Sequence, residues 1–175
     1  MSPKCKNPAI SPAMNKKNFK ARQHFVACNQ LLQFSPDAVF PLLCPRREYE
    51  WIESWRGEII YSKSGFAELD CVFSTEFAGD AKEIWVVDRF DKNEKIQFIR
   101  FTEPKVIRYC ISLKDNNNGT TTATWEMTIT SLNDEGESYI ENFSDADYEG
   151  RIKGLEKMLN YYLATGRMLK MVPDE

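Results

Sequence analysis

"TTTATWEMTITSL", Thr120 to Leu132, alternates without a break: Ala123, Trp125, Met127 and Ile129 fall on one side of an extended chain, Thr122, Thr124, Glu126, Thr128 and Thr130 on the other. A period of two with one apolar and one polar face belongs to an antiparallel strand that is packed on one side and wet on the other. Upstream, "GEIIYSKSG", "DCVFSTEF", "KEIWVVDRFD", "EKIQFIRFTEP" and "KVIRYCISLKD" share its β-branched and aromatic texture, separated by short Gly, Asp, Asn and Pro breaks. A meander of six strands is therefore expected after Trp55, with "KDNNNGT", Lys114 to Thr120, as an exposed hairpin end.

Downstream the period changes to that of a helix. In "SDADYEGRIKGLEKMLNYYLATG", Ser144 to Gly166, the Ser144 hydroxyl is placed to cap and Asp147 to return the bond, and Gly166 closes the element. A helix from Asp145 to Ala164 follows, its stripe made by Tyr148, Ile152, Leu155, Leu159 and Tyr162 and widened by Met158 and Leu163. Asp147 with Arg151 and Glu149 with Lys153 are i,i+4 pairs worth about 0.3 kcal/mol each on the wet face. Gly150 and Gly154 cost the helix about 1 kcal/mol each, which predicts either close approach of backbone to sheet or open volume beneath the helix.

Before the meander, "FKARQHFVACN", Phe19 to Asn29, reads as a first strand with Phe19, Ala21, Phe25 and Ala27 packed and Lys20, Arg22 and His24 opposite. Ser35 and Pro36 start a short helix that Pro41 and Pro45 keep brief, and a second turn is expected from Arg46 to Trp51. One α+β domain over 17–168 is expected, with a loose leader at 1–16 and a short tail at 169–175.

Composition narrows the function. With 23 Lys and Arg against 26 Asp and Glu, the net charge of -3 supplies no field for phosphates, so nucleic acid is not the expected partner. No apolar run suits a signal peptide or an integral membrane segment, and Pro3, Pro8 and Pro12 argue against an amphipathic targeting helix in the basic leader, so a cytoplasmic protein is expected. The five Cys form no CxxC and read as thiols of a reducing compartment, and "NGT" and "NFS" without an export signal carry no weight as glycosylation sites. A single His, His24, excludes a His-rich metal site, no phosphate loop occurs, and neither metal nor cofactor is expected.

The order of strand, two short helices, six strands and long helix resembles the START-related and Bet v 1-like superfamily, and more narrowly its bacterial polyketide cyclase/dehydrase-like (SRPBCC) branch. The resemblance covers Lys17 to Met168 and rests on "FSPDAVFPLLCPRREYEWIESW" leading into the sheet, where Cys44, Pro45, Arg47, Glu48 and Trp51 match that branch. It implies a helix-grip fold: a seven-stranded curled antiparallel sheet around the C-terminal helix, with two short helices after the first strand. It also implies a cavity between sheet and helix for a small hydrophobic or amphipathic molecule.

The contacts expected for such a ligand are Trp125 and Met127 from the last strand and Tyr148, Ile152, Leu155, Leu159 and Tyr162 from the helix. Trp51 and Trp55, four apart with Glu48 and Glu50 beside them, are placed either to cover the mouth or to plug one end of the core. Three charged residues are candidate polar contacts. Asp88 and Arg89 follow "IWVV", so one points inward if alternation persists; Arg100 and Arg108 stand in adjacent strands, where an inward guanidinium suits a planar anion. In "KVIRYCISL" the greasier face is Ile107, Tyr109, Ile111 and Leu113, which puts Tyr109 inside and Arg108 on the convex side. That leaves the cavity poor in charge and favours ligand binding over two alternatives: a cyclase or dehydratase acting on such a ligand, and an interaction domain with a filled core. Whether the chain forms a homodimer is left open.

Overall fold

The computed structural model describes residues 19–77 and 81–170. The expected leader, Cys5 and the last five residues of the tail lie outside the described residues. The strands are β1 (Gln23–Leu32), β2 (Gly57–Tyr61), β3 (Val72–Thr75), β4 (Glu83–Asp91), β5 (Lys95–Thr102), β6 (Lys105–Asp115) and β7 (Thr121–Ser131). Helix α1 (Pro36–Val39) and two 3₁₀ turns, Phe40–Leu43 and Glu48–Glu50, join β1 to β2, while α2 (Asp134–Glu141) and α3 (Asp145–Thr165) follow β7. All neighbours pair antiparallel in the order β1-β7-β6-β5-β4-β3-β2, a seven-stranded sheet whose first strand returns to the last. This is the helix-grip architecture.

The alternation of β7 survives intact: Thr121, Ala123, Trp125, Met127, Ile129 and Ser131 are all buried and their neighbours are not. Pairing carries this face across the sheet, because Met127 lies opposite Tyr109, Tyr109 opposite Phe98, and Phe98 opposite Val87. The inner face thereby collects rings. Trp85 meets Phe73, Phe98 and Tyr109 at centroid distances of 5.3, 5.9 and 6.1 Å, and Tyr109 meets Trp125 at 5.8 Å. Edge-on and offset arrangements of this kind stabilise beyond the area they bury.

Three local expectations are corrected. In β1 the packed face is Val26, Cys28, Gln30 and Leu32, with Phe25 exposed, the reverse of the face read from the sequence. Register with β7 sets it: Val26 opposes Met127 and Cys28 opposes Trp125, and a one-residue slip in reading inverts every side chain. In β4 the alternation does not persist, because the register shifts between Val87 and Arg89; Asp88 and Arg89 are both exposed, and Phe90 returns to the inner side. Helix α2 is an addition. Asn133 caps it by accepting from the Gly136 N–H at 3.0 Å, and Asp134, Glu135 and Glu137 suit its N-terminal dipole. Gly136 is required there by close approach, since a Cβ would sit 2.0 Å from the Pro104 carbonyl oxygen.

The long helix begins and ends as its caps dictate: the Ser144 hydroxyl accepts from the Asp147 N–H at 3.1 Å, and Gly166 stands in the left-handed region at φ 65°. It is held along β1. Buried Gln30 donates to the Ile152 carbonyl at 2.6 Å and accepts from the Trp125 indole at 2.7 Å. Glu156 and Asn160 accept from the Leu31 and Gln33 N–H groups, and the Asn160 amide donates to the Leu31 carbonyl. The bare edge of β1 is thus satisfied by helix side chains, which also blunts it against foreign strands.

Candidate functional site

Helix α3 is held to the rest of the molecule differently along its two flanks. One side is the β1 contact just described. On the other, the segment from Arg47 to Trp55 bridges sheet and helix: the Tyr49 hydroxyl donates to the Gly57 carbonyl at the start of β2 at 2.8 Å, and the Tyr162 hydroxyl of α3 donates to the Glu50 carboxylate. Arg47 completes this wall, donating from Nε and Nη2 to the two Glu50 oxygens at 2.9 Å each. These neighbours hold the Glu50 carboxyl below its ordinary range, Arg47 foremost.

The two indoles of this segment do not act as a pair. Trp51 is fully buried with its N–H on the Leu42 carbonyl at 3.0 Å, so it plugs the core, whereas half-buried Trp55 bonds the Pro45 carbonyl at 2.7 Å and covers Gly57. The turn is 3₁₀ and ends before Trp51, so spacing of four does not bring the rings to one face.

Most of the expected contacts are packed. Trp125, Met127, Tyr148, Ile152 and Leu159 are at most 3% exposed and give a ligand almost no surface in this conformation. Tyr109, Leu155 and Tyr162 keep partial exposure, as does Met158. At 100° per residue Leu155, Met158 and Tyr162 lie on the flank of α3 turned away from Glu156 and Asn160, the flank that is not stitched to β1. Neither Gly150 nor Gly154 would place a Cβ within 4 Å of another group, which excludes close helix-on-sheet approach as their reason. Gly150 faces solvent and Gly154 is half-buried on the free flank.

Strands β4, β5 and β6 and helix α3 contribute ionisable side chains to the interior. Tyr109 lies on the inner face with Ile107 and Ile111, and Arg108 is exposed. The Tyr109 hydroxyl meets that of Tyr148, and the contact raises Tyr109 while lowering Tyr148, as expected when Tyr109 is the donor. Tyr148 passes the chain on to the Trp125 carbonyl at 3.4 Å. Burial dominates both, pushing Tyr109 well above its ordinary value and Tyr148 up to about 12, so both remain protonated at neutral pH. Arg100 also points inward, its guanidinium 4.9 Å over the Trp85 ring and paired with Glu83, which Lys105 approaches at 3.8 Å. Its Nε is buried and has no hydrogen-bond partner. The expectation of an interior poor in charge is therefore corrected by Arg100 and Glu83.

Glu48 was not among the expected site residues. Burial pushes its carboxyl up to about 8, its charge is felt at Tyr109, and no hydrogen bond or ion pair of its carboxyl is found among the described residues. No periodic signal marks it, since a single 3₁₀ turn has none. Glu83 was legible, because it stands at i−2 and i−4 from Trp85 and Val87 on the buried side of β4. Asp88 is on the outer surface, accepting from the Gln97 amide at 2.9 Å. Among the described residues no cluster of His, Cys, Asp and Glu could hold a metal, and no helix is long and apolar enough to cross a membrane. Cys28, Cys44, Cys71 and Cys110 are free and buried.

Two depressions stand out among the described residues. A larger one, about 660 Å³, is an open dish at the α2–α3 corner lined by Ser138, Asn142 and Asp147 among others. The more enclosed one, about 390 Å³, lies beneath the Phe40–Leu43 turn against Phe90 and Ile96.

Neither a family model nor a curated protein matches the chain. Solved structures do. A norcoclaurine synthase point mutant of Thalictrum flavum in complex with a transition-state analogue superposes with TM-score 0.65 at 8% identity, over 85% of this chain and 99% of that one. Ara h 8.0201 gives 0.58 at 14% identity over 82% and 99%. DynU16, from the dynemicin biosynthetic locus, gives 0.58 at 17% identity over 82% of this chain, which spans about half of DynU16 (48%). At such identities the likeness is one of fold, and it agrees with the helix-grip architecture described above.

Proposed function

We propose that the chain binds a small hydrophobic or amphipathic molecule between the concave sheet and α3. The observation that carries this reading is the one-sided docking of α3: its β1 flank is closed by hydrogen bonds, while Leu155, Met158 and Tyr162 on the other flank pack against the core yet stay partly exposed, and the inner sheet face carries the rings of Trp85, Tyr109 and Trp125. A globular protein normally packs such a stripe, and a floor of rings with few polar groups suits an apolar guest. Tyr109 and Arg100 would orient its oxygen atoms. The superposed norcoclaurine synthase, which is in complex with a transition-state analogue, supports a small-molecule ligand for this fold. The neutral dye N-phenyl-1-naphthylamine tests it. Wild type is expected to bind with saturable fluorescence, and Leu155→Arg to weaken binding about tenfold or more, by putting a charge where the apolar ring must sit. Equal uptake by the two proteins removes the reading.

A second reading, an enzyme of the polyketide cyclase or dehydratase kind acting on that ligand, is favoured by Glu48. A carboxyl with a value of about 8 carries its proton at neutral pH and can donate it to a carbonyl or departing hydroxyl oxygen. In dehydration of a β-hydroxy ketone, water would take the α-proton, the Arg100 guanidinium would stabilise the enolate so formed, and the Glu48 proton would go to the departing hydroxyl, which leaves as water. Dehydration of 4-hydroxy-4-phenyl-2-butanone is the simplest assay: Glu48→Gln is expected to cost about a hundredfold, within the usual range for loss of a general acid. Identical rates in the variant and wild type reject it.

A further inference from the structure

We propose a second binding site, separate from the groove: the cleft between the Phe40–Leu43 turn, the β2–β3 loop and the β4–β5 hairpin takes a compact apolar molecule that carries both an anionic group and a hydrogen-bond donor. The cleft holds about 390 Å³, and it shares no lining residue with Tyr109, Tyr148, Arg100, Glu48, Leu155 or Tyr162. That volume lies within the size range of small-molecule pockets.

Its walls are apolar. Phe40 and Phe90 meet edge-on at 5.2 Å, Leu43 and Ile96 extend the floor, and Phe66 closes the outer side, braced by the Arg46 guanidinium 5.6 Å above its ring. Cys44 ties the loop to the turn, its sulfur accepting from the Ala67 N–H at 3.1 Å.

Two polar features on the hairpin break this apolar lining. The Asn93 side-chain oxygen is buried and has no hydrogen-bond partner among the described residues. Buried amide oxygens are nearly always satisfied, and asparagines in turns usually bond their own backbone, so an orphan acceptor in a residue of the cleft wall calls for an external donor, which reaches it when the exposed hairpin gives slightly around the ligand. Beside it, Lys92 lines the same cleft and its ammonium has no ion pair among the described residues. Arg47, also in the lining, spends Nε and Nη2 on Glu50, which neutralises it. The net offer to a ligand is one acceptor and one uncompensated cation at the rim of an aromatic slot. A fused bicyclic acid bearing a hydroxyl matches all three.

The test uses 6-hydroxy-2-naphthoate as a fluorescent probe, 2-naphthoate as its analogue without the donor, and 2-naphthol as the analogue without the anion. Asn93 stands at φ 65°, a conformation glycine adopts freely, so Asn93→Gly removes the amide while the hairpin keeps its fold. This variant is expected to weaken the hydroxynaphthoate about tenfold and leave 2-naphthoate unchanged. Lys92→Gln should weaken both acids several-fold and leave 2-naphthol unchanged. Leu155→Arg, which addresses the groove, should alter none of the three. Hydroxynaphthoate binding that ignores both hairpin variants, binding abolished by Leu155→Arg, or no binding at millimolar probe each overturns the proposal.

Discussion

Glu83, buried on the inner side of the sheet, and Glu48, half-buried in the turn before β2 with its charge felt at Tyr109, are opposites. Glu83 sits between two cations, Arg100 and Lys105, and Arg100 is further held over the Trp85 ring. Glu48 faces Tyr109 with no partner for its carboxyl among the described residues and rises to about 8. Charge that is met by charge holds structure together. Charge that is left unmet is tolerated only by giving it up, which leaves Glu48 with a proton it can lose near neutral pH. The difference separates the supporting frame of the interior from the group able to react there.

The largest effect is expected where the frame is broken. Glu83→Gln leaves the half-buried Arg100 and Lys105 without this carboxylate, and removal of one member of a buried ion network costs about 3–5 kcal/mol, the lower end applying where the cations keep some contact with water. Urea unfolding at neutral pH measures it. A loss below about 1 kcal/mol would mean that water reaches both cations and that Glu83 behaves as a surface residue.

Glu48→Gln should behave in the other direction. The folded carboxyl titrates at about 8 against an ordinary 4.5, so between these values the native state holds a proton that the unfolded chain has lost. Stability then falls as pH rises through this window, because the native state binds more protons than the unfolded state, and it is unaffected well below 4.5. Half-burial of the residue limits the total to about 2–3 kcal/mol. The Gln variant lacks this slope, so it should match wild type at pH 4.5 and exceed it at pH 8.5. Parallel stability curves would show that the Glu48 carboxyl is in contact with bulk water and would withdraw the proton-donor reading.

The contrast also marks what sequence could deliver. Strand order, the terminal helix and the inward Tyr109 follow from periods of two and 3.6, which are backbone geometry written in side-chain polarity. Glu83 was equally visible by counting back from Trp85. What eluded the pattern has physical causes. The face of β1 depends on its register with β7, a pairing of residues about a hundred positions apart, as with Val26 and Met127. The outward turn of both Asp88 and Arg89 needs a bulge that no local residue announces. Glu48 and Trp51 lie in and after a three-residue 3₁₀ turn, too short to have a period, so their directions are set by what they meet: a core carbonyl for Trp51, and nothing for Glu48.

A buried polar group without charge lies between the two carboxyls in cost. Gln30 joins β1 to both Trp125 and the Ile152 carbonyl. Gln30→Leu keeps the volume and strands the buried Trp125 N–H, for an expected loss of about 2 kcal/mol in thermal or urea unfolding. A neutral result would mean that the indole finds another acceptor and that α3 does not depend on this bridge.

The smallest effects concern α3, and they separate its solvent flank from its free flank. Gly150 faces solvent and Gly154 is half-buried one turn before Met158, with open space beside each. Gly150→Ala should add about 1 kcal/mol of stability through helix propensity alone and leave dye uptake unchanged. Gly154→Leu should gain a similar amount from propensity, but its side chain extends over the same flank as Met158 and narrows the approach to Tyr109. The expected pattern is a raised melting temperature for both variants with weaker N-phenyl-1-naphthylamine binding for Gly154→Leu only. If the Leu variant binds the dye as well as wild type, the approach does not run along this flank, and a ligand must enter from the side of the Arg47–Glu50–Tyr162 wall, where Glu50→Gln should then change the rate of uptake.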